Sequence, residues 1–452
     1  MIFMRVRSTS STDITGALWI SLVVITIAIS LGINFFLSSR EVKKDRESDR
    51  IGISESVFSV NEFGVTGDGI TNDNASLAAM IKSVPDGGTV NFEAGKVYVV
   101  TEPIVLTKAI TLDLRGATII AKNSDSAFLV QSDNVVIKNG VLDLNYTTHN
   151  GIAASGKNGS YAGVTGSAAA AGNTLTLNTV PSKLGKTKYL TLAGLAGYFR
   201  VTAVSGTQLT LDQPVKAAVN NAAVGWYKPY SNLYFQGLTI KDLIPTAHNL
   251  EGGIYLSLCE NVHVDQCTFS NIFNPDEPGN MGHAPSVKFN DCYNVYVNDM
   301  VTSNGGVGIN LWNVLNADIN RISMINMADN GFYLQEYSDN ISIDNFTIDG
   351  VEEGVVFDTV NMAGTADGIP TIKVSNGLIR GATNHGFSLR QGSDFYVNNV
   401  KFTKCWNNIG QSSSYEGISD AVFDNITCLD TVGPASIYVG KSKRIKFNNL
   451  KQ

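Results

Sequence analysis

No phosphate-cradling glycine loop, no Ser-His-Asp set and no zinc-ligand spacing occurs along the 452 residues. Nucleotide-driven chemistry, triad hydrolysis and zinc catalysis therefore have no sequence basis. Cysteine is scarce: Cys259, Cys267, Cys292, Cys405 and Cys428 form no CxxC or Cys/His pattern, and their odd number leaves at least one thiol unpaired within a monomer. Cysteine usage thus identifies no compartment. Positive charge is also short, with 33 Lys and Arg against 40 Asp and Glu for a formal net charge of -7. That balance excludes the basic stripe of a nucleic-acid-binding surface.

Hydrophobic side chains make up 43% of the chain, enough for a large core. One run departs from this mixed character: ALWISLVVITIAISLGINFFL, Ala17 to Leu37, holds 21 residues without a charge. At about 1.5 Å per residue a helix of this length spans a hydrocarbon layer of about 30 Å. It is longer than the apolar region of a cleaved signal peptide, and no Ala-x-Ala site follows it. The expectation is an uncleaved transmembrane anchor, preceded by a tail at 1–16 and followed by a solvated charged linker at 38–56. Arg40, Lys43, Lys44, Arg46 and Arg50 outnumber Arg5 and Arg7 across this run. The positive-inside count would leave the C-terminal part in the cytoplasm, but long domains translocate regardless of flanking charge.

The second half repeats itself. NVHVDQCTF, NVYVNDMVT, NADINRISM, NISIDNFTI, DFYVNNVKF and DAVFDNITC begin at Asn261, Asn294, Asn316, Asn340, Asp394 and Asp420, each alternating apolar and polar residues. A second strand recurs between them as GIYLS, GINLW, GFYLQ, GVVFD and GFSLR, from Gly253, Gly308, Gly331, Gly354 and Gly386. Gly308, Gly331 and Gly354 fall 23 residues apart. Short strands at this period with no helix between them predict a parallel β-solenoid, in which equivalent side chains stack at about 4.8 Å. The Asn or Asp opening each NxxV unit should form a polar ladder at a turn. The sequons NYT, NIS, NFT and NIT have the same structural origin.

Before these coils, VNEFGVTGDGITNDNASLAAMI starts at Val60. Its glycines suit tight turns, Asp73 or Asn74 suits a helix N-cap, and Leu77, Met80, Ile81 and Val84 form one apolar face. A short capping helix over the first coil is expected. Followed by GGTVNFEAGKVY, this stretch closely resembles the opening of the pectate-lyase superfamily's single-stranded right-handed β-helix proteins, among them rhamnogalacturonase- and epimerase-like enzymes and phage tailspikes. The resemblance is specific over Val60 to Tyr98 and rests on the coil pattern from there to Gln452. It implies an all-β, right-handed parallel β-helix, and a function only loosely, because one scaffold hosts lyases, hydrolases, epimerases and binders. The cap and first coils are assigned to 57–156 and the main helix to 229–452. Between them, 157–228 is rich in Gly, Ala and Thr and reads as a small β-rich insertion, of the kind that decorates tailspikes.

Aligning the coil glycines puts Asp329-Asn330, Glu352-Glu353 and Asn384-His385 in one patch. Alternation adds two outward columns: Tyr255, Asn310, Tyr333, Val356 and Ser388, and Ser257, Trp312, Gln335, Asp358 and Arg390. The patch resembles the active site of polygalacturonase-type glycoside hydrolases, with DNG, EEG and NHG standing where that family has its NTD, DD and GHG motifs. The resemblance implies Glu352, Glu353 and His385 as catalytic residues, with Asn330 replacing one family aspartate; Asp329 beside it is a further candidate acid or base, on the coil adjacent to Glu352. The family's following Arg-x-Lys motif is missing, IGQSSSYEG occupying that coil and RIK at Arg444 lying too far along.

An inverting glycosidase needs an acid and a base carboxylate about 6.5–9.5 Å apart. Crowding of like charges should raise one pKa and keep that group protonated. Tyr255, Trp312 and Tyr333 are expected to stack on sugar rings, with Gln335, Asp358 and Arg390 completing the substrate surface and Asp358 pairing with Arg390. Loops at Asp276 to His283 and Asn361 to Pro370 would wall the groove. No metal or cofactor is expected for hydrolysis, whereas a lyase would use Ca2+, for which Asp329, Glu352, Glu353 and Asp358 are the available carboxylates. A bland alternative stands beside this one, since corners of a solenoid are wet and a Glu-Glu pair there is ordinarily solvated. Two functional classes follow. One is a membrane-anchored polysaccharide hydrolase or lyase. The other is a non-catalytic glycan-binding spike or adhesin on a cell or virion surface, as a homotrimer if it follows other fibrous β-helices.

Overall fold

The computed structural model describes residues 56–452 apart from 124, 183, 185–188, 196–197, 216, 244–251, 273–283, 360–370 and 412–413. The anchor at Ala17–Leu37, its flanking tail and most of the linker lie outside the described residues, as do the two wall loops. Among the described residues no helix is long and apolar enough to cross a membrane.

Coils stack in parallel register through most of the chain. A representative coil has three strand segments. Val307–Trp312 pairs with Pro285–Asn290 on one side and Asn330–Glu336 on the other, while Leu315–Met327 covers the second and third segments and bends at Arg321. The inward positions carry a continuous core of stacked aliphatic and aromatic side chains. Phe357 and Phe387 meet edge to face with ring centres 5.5 Å apart, and Phe387 and Phe402 do so at 4.9 Å. All five cysteines are buried in this core as free thiols.

The corners explain the recurrent asparagines. Asn134, Asn232, Asn261, Asn294, Asn316 and Asn340 all have φ between 51° and 62°, a left-handed conformation that Asn tolerates better than most residues. Their amides also bond from coil to coil. Asn261 Nδ2 donates to Asn232 Oδ1 at 2.6 Å, Asn316 Nδ2 to Asn294 Oδ1 at 3.1 Å, and Asn340 Nδ2 to Asn316 Oδ1 at 2.7 Å. A second such row follows the next bend, where Asn399 Nδ2 donates to Asn376 Oδ1 at 2.7 Å.

Near the N-terminus a helix does form over Asn74–Ser83, burying Leu77, Met80 and Ile81 in the core. Asp73 sits at its N-cap position without capping it through its side chain. Its carboxylate instead accepts from Thr66 N at 2.8 Å and so ties the preceding glycine-rich turn to the helix start.

Residues 157–228 form a separate closed antiparallel barrel. The strands run, in spatial order, Lys157–Ala168, Thr174–Leu177, Gln208–Leu211, Phe199–Ser205, Tyr189–Leu192 and Val219–Lys228, the last pairing back to the first. Leu175, Leu190, Leu192, Phe199, Leu209 and Val224 fill its own core. The barrel leaves the solenoid after Asn150–Ser155 and returns at Tyr230–Leu243. In the next coil Leu258 alone makes the equivalent corner, and Gly156 N and Tyr230 N bond to Ser257 O and Leu258 O on either side of it.

The asparagine ladder makes a stability prediction. Asn316→Ala removes two amide bonds and puts a residue less tolerant than asparagine into left-handed backbone, so equilibrium denaturation should show a loss of about 2 kcal/mol. Asn316→Gly, which tolerates that backbone, should recover about half of it. Equal losses for the two variants would contradict the backbone contribution.

Candidate functional site

In each first segment the residues one and three after the glycine point into the core and those two and four after it point out. The register gives two outward columns: Tyr255, Lys288, Asn310, Tyr333, Val356, Ser388 and Gly410, and Ser257, Asn290, Trp312, Gln335, Asp358 and Gln391. The second column differs from the sequence expectation at its end. A bulge between Phe357 and Asp358 pairs Phe357 with Leu389 but Asp358 with Gln391, so Arg390 is the extra residue. That displacement frees its guanidinium to reach across the face.

The corner residues stack as expected in part. Asn330 pairs with Glu353, Glu353 with His385, and His385 with Asn407. The glycine that follows is imposed by packing: a Cβ on Gly354 would lie 2.7 Å from Ile379 Cδ1 in the core. The two glutamates separate. Glu352 is exposed, whereas Glu353 is 5% exposed. Glu352 N and Glu353 N both donate to Asp329 O, at 3.1 and 3.0 Å, which stacks the Asp329 and Glu352 corners on adjacent coils.

Glu353 is the hub of a charged cluster. Its Oε1 lies 3.2 Å from His385 Nδ1 and accepts from Asn384 Nδ2 at 3.3 Å, and its Oε2 accepts from Arg390 Nη2 at 2.7 Å. Arg390 Nη1 donates to Tyr333 OH at 2.8 Å and approaches Asp358 Oδ2 at 3.6 Å. Tyr333 OH in turn donates to Asp358 Oδ2 at 3.1 Å, and Gln391 Nε2 to Asp358 Oδ1 at 2.8 Å. The guanidinium lies 5.1 Å from the ring centres of both Tyr333 and Tyr415. Asp358 and Arg390 are therefore close, but Arg390's nearer carboxylate is Glu353.

At Glu353 the electrostatics favour the charged form. Burial works to raise the Glu353 pKa, but the His385 hydrogen bond and the Arg390 charge and hydrogen bond outweigh it and hold the carboxyl below its ordinary value. An ionised Glu353 makes His385 Nδ1 the donor. The imidazole packs against Gly410, where a Cβ would collide with its Cδ2 edge. Burial pushes the Tyr333 hydroxyl far up. For Arg390, burial opposes the charged form and Glu353 more than offsets it.

Farther along the face Trp312 is half-buried, not fully exposed, and Lys288 Nζ lies 5.6 Å above its ring. Lys288 is itself buried, which lowers its pKa. Asn310 Nδ2 donates to Gln335 Oε1 at 2.7 Å. Asn310 Oδ1 and Asn330 Oδ1 are buried with no hydrogen-bond partner among the described residues. Tyr255 is half-buried on the same face. Among the described residues no three His, Cys, Asp or Glu side chains converge to hold a metal ion.

Sequence reasoning missed Lys288 and Tyr415. Lys288 sits in PSVKFN, a first segment that opens with Pro285-Ser286 where its neighbours have glycine. Tyr415 belongs to the IGQSSSYEG stretch, which has no coil periodicity to place it.

Residues 57–179 match a family model described as rhamnogalacturonase A/epimerase, pectate lyase-like, and residues 231–402 match the right handed beta helix region. No curated protein matches the chain. Among solved structures, a hyperthermoactive exopolygalacturonase from Thermotoga maritima aligns with TM-score 0.52 and 12% identity over 88% of this chain and 92% of its own. The tailspike protein gp49 of Pseudomonas phage LKA1 gives 0.44 and 14% over 87% and 81%. The gp54 tailspike of Acinetobacter baumannii bacteriophage AP22, solved with a capsular saccharide, gives 0.44 and 11% over 87% and 69%. The chain is a right-handed parallel β-helix protein whose residues 57–179 match the pectate lyase-like model.

The cluster carries a pH signature. A carboxyl whose pKa is depressed on folding contributes stability above its ordinary value of 4.5, and that contribution is lost as pH falls through the folded value. Glu353→Gln should cost about 2–3 kcal/mol at pH 7, by leaving Arg390 without its nearer anion. It should also flatten the fall in stability below pH 4.5. A variant with the parent's acid profile would show that Glu353 is not held ionised.

Proposed function

We propose that this face of the β-helix binds a polysaccharide. The observation that carries the reading is the row of half-buried aromatic rings, Tyr255, Trp312 and Tyr333, on one sheet face. Sugar rings present apolar faces that stack on aromatics. The coil spacing of about 4.8 Å is comparable with the length of one pyranose, so successive coils can offer repeated contacts to successive sugars. Arg390, clamped by Glu353 and flanked by Tyr333 and Tyr415, is a fixed polar group that needs no reordering on binding. The exopolygalacturonase likeness supports the scaffold; the ligand class rests on the face itself.

Binding is favoured over cleavage, because Glu353 is ionised and both of its oxygens are engaged, which suits it poorly to donating a proton. Hydrolysis is the second reading. It is favoured by the stacking of Asp329 and Glu352 on adjacent coils through the Asp329 carbonyl, with His385 one coil beyond. In that case Asp329 and Glu352 would be the acid and base, and Glu353 would orient His385. On either reading Ala17–Leu37 would tether a solenoid displayed outside the cell or on a virion, as a spike or adhesin if it does not cleave, and as a homotrimer if it assembles as fibrous β-helices do.

The test is incubation of purified residues 51–452 with polygalacturonate, capsular polysaccharide and lipopolysaccharide. Binding is read by affinity electrophoresis and products by mass spectrometry. The expected result is retention by one glycan without new products, with Trp312→Ala weakening retention at least ten-fold. Hydrated oligosaccharides that vanish in both Asp329→Asn and Glu352→Gln would establish hydrolysis instead. Unchanged retention by Trp312→Ala would refute the groove.

A further inference from the structure

A cavity of about 420 Å³ lies where the barrel meets the solenoid, lined by Asn158, Ser160, Tyr198, Trp226, Tyr227 and Asp291 among others. The barrel contributes a tyrosine cluster in which Tyr198 and Tyr227 meet edge to face at 4.6 Å, packed against Leu258, Tyr293 and Leu315 of the solenoid. Tyr227 OH donates to Asp291 O at 3.1 Å and fixes the two bodies at this point. The Tyr198 hydroxyl is buried, with the residue 2% exposed, and finds no hydrogen-bond partner among the described residues. The half-buried indole of Trp226 lies directly over Gly159, its cross-strand partner, where a Cβ would come within 2.9 Å of the ring atoms.

Asp291 directly follows Asn290, the outward neighbour of Trp312, so the cavity lies at the barrel end of the same face. Four coil steps separate Gln391 from Asn290 in that column, a span of about 19 Å at the usual strand spacing.

We propose that this junction cavity is a second saccharide site, taking one uncharged pyranose of the chain that lies along the face. Trp226 would supply the stacking surface, and Tyr198 OH, Asn158 and the Asp291 carboxyl the hydroxyl contacts. The volume falls within the range of small-ligand pockets and suits one or two sugar rings. An uncharged sugar fits better than a uronate, because a carboxylate would enter beside Asp291 while, among the described residues, no Lys or Arg lines the cavity. Burial raises the Asp291 pKa, consistent with a site that disfavours added negative charge. The ligand class rests on the polysaccharide reading above; the location does not.

The test is saturation-transfer difference NMR on residues 51–452 with glucose, galactose, rhamnose, N-acetylglucosamine and N-acetylgalactosamine, each at millimolar concentration. At least one should give a signal that falls five-fold or more in both Trp226→Ala and Gly159→Ala and persists in Trp312→Ala. Gly159→Ala displaces the indole without removing it, because its methyl would lie 2.9 Å from the ring, and a melting temperature unchanged from the parent's in each variant guards against a folding defect. A signal that survives both cavity variants, or no signal from any of the five sugars, overturns the site. If polysaccharide retention still depends on Trp312 in that case, the face reading stands without the cavity. Conversely, a cavity signal from a protein that retains no polysaccharide supports the site and removes the face reading.

Discussion

Parallel stacking of one coil on the next is the constraint on which everything else depends. Each backbone segment finds its hydrogen-bond partners only in the coils above and below, so a residue's environment is set by its counterparts 20 to 30 positions away. Inside, this demands ladders of apolar side chains of compatible size, and Ile348, Ile379 and Phe402 reach so close to the backbone at the first-segment corner that only glycine fits at 331, 354 and 386. At the next corner the chain must turn through left-handed backbone, and asparagine is recruited for its tolerance of that conformation and for an amide that bonds along the stack. These residues repeat because geometry repeats.

The same stacking concentrates charge. Corner residues on adjacent coils are held about 4.8 Å apart, so a buried carboxylate at one corner must be answered by its neighbours. Glu353 is answered on one side by His385, directly in register, and on the other by Arg390, which reaches it only because a bulge takes it out of its column. The desolvation cost of burying Glu353 and Arg390 is offset by completeness: both carboxylate oxygens are engaged, and the guanidinium bonds Tyr333 while its faces meet two tyrosine rings. The result is a preorganised surface whose groups are already oriented, the property a weakly attractive, hydroxyl-rich ligand needs most.

Much of this was legible in the sequence, for reasons that follow from the stacking. The GxxLx and NxxV lattices exposed the solenoid and the Asn330–Glu353–His385 row, because each depends on local periodicity. What escaped was non-periodic. The bulge at Arg390 shifts one residue without altering the hydrophobic pattern of GFSLR, so the column appeared to end in Arg390 when it ends in Gln391. Glu352 and Glu353 are adjacent and chemically identical, and only the direction of each Cβ at the corner makes one a solvated residue and the other a buried hub. The lowered Glu353 pKa is equally absent from the local pattern, since it depends on Arg390 arriving from 37 positions away.

The barrel shows how a repetitive scaffold acquires something non-repetitive. In the coil after it, one residue, Leu258, makes the turn that the barrel interrupts, and the coil backbone closes on either side through Gly156 N to Ser257 O and Tyr230 N to Leu258 O. A folded unit with its own core can therefore be inserted at a corner without disturbing the hydrogen bonds of the coils. Its entry and exit strands are then held side by side by the solenoid, which lowers the entropy of closing a barrel over 157–228. Two independently packed bodies meeting along a curved face do not fill the space between them as a single core does. The gap beside Tyr198 and Trp226 is the geometric consequence, and its lining comes from both bodies because neither alone encloses it.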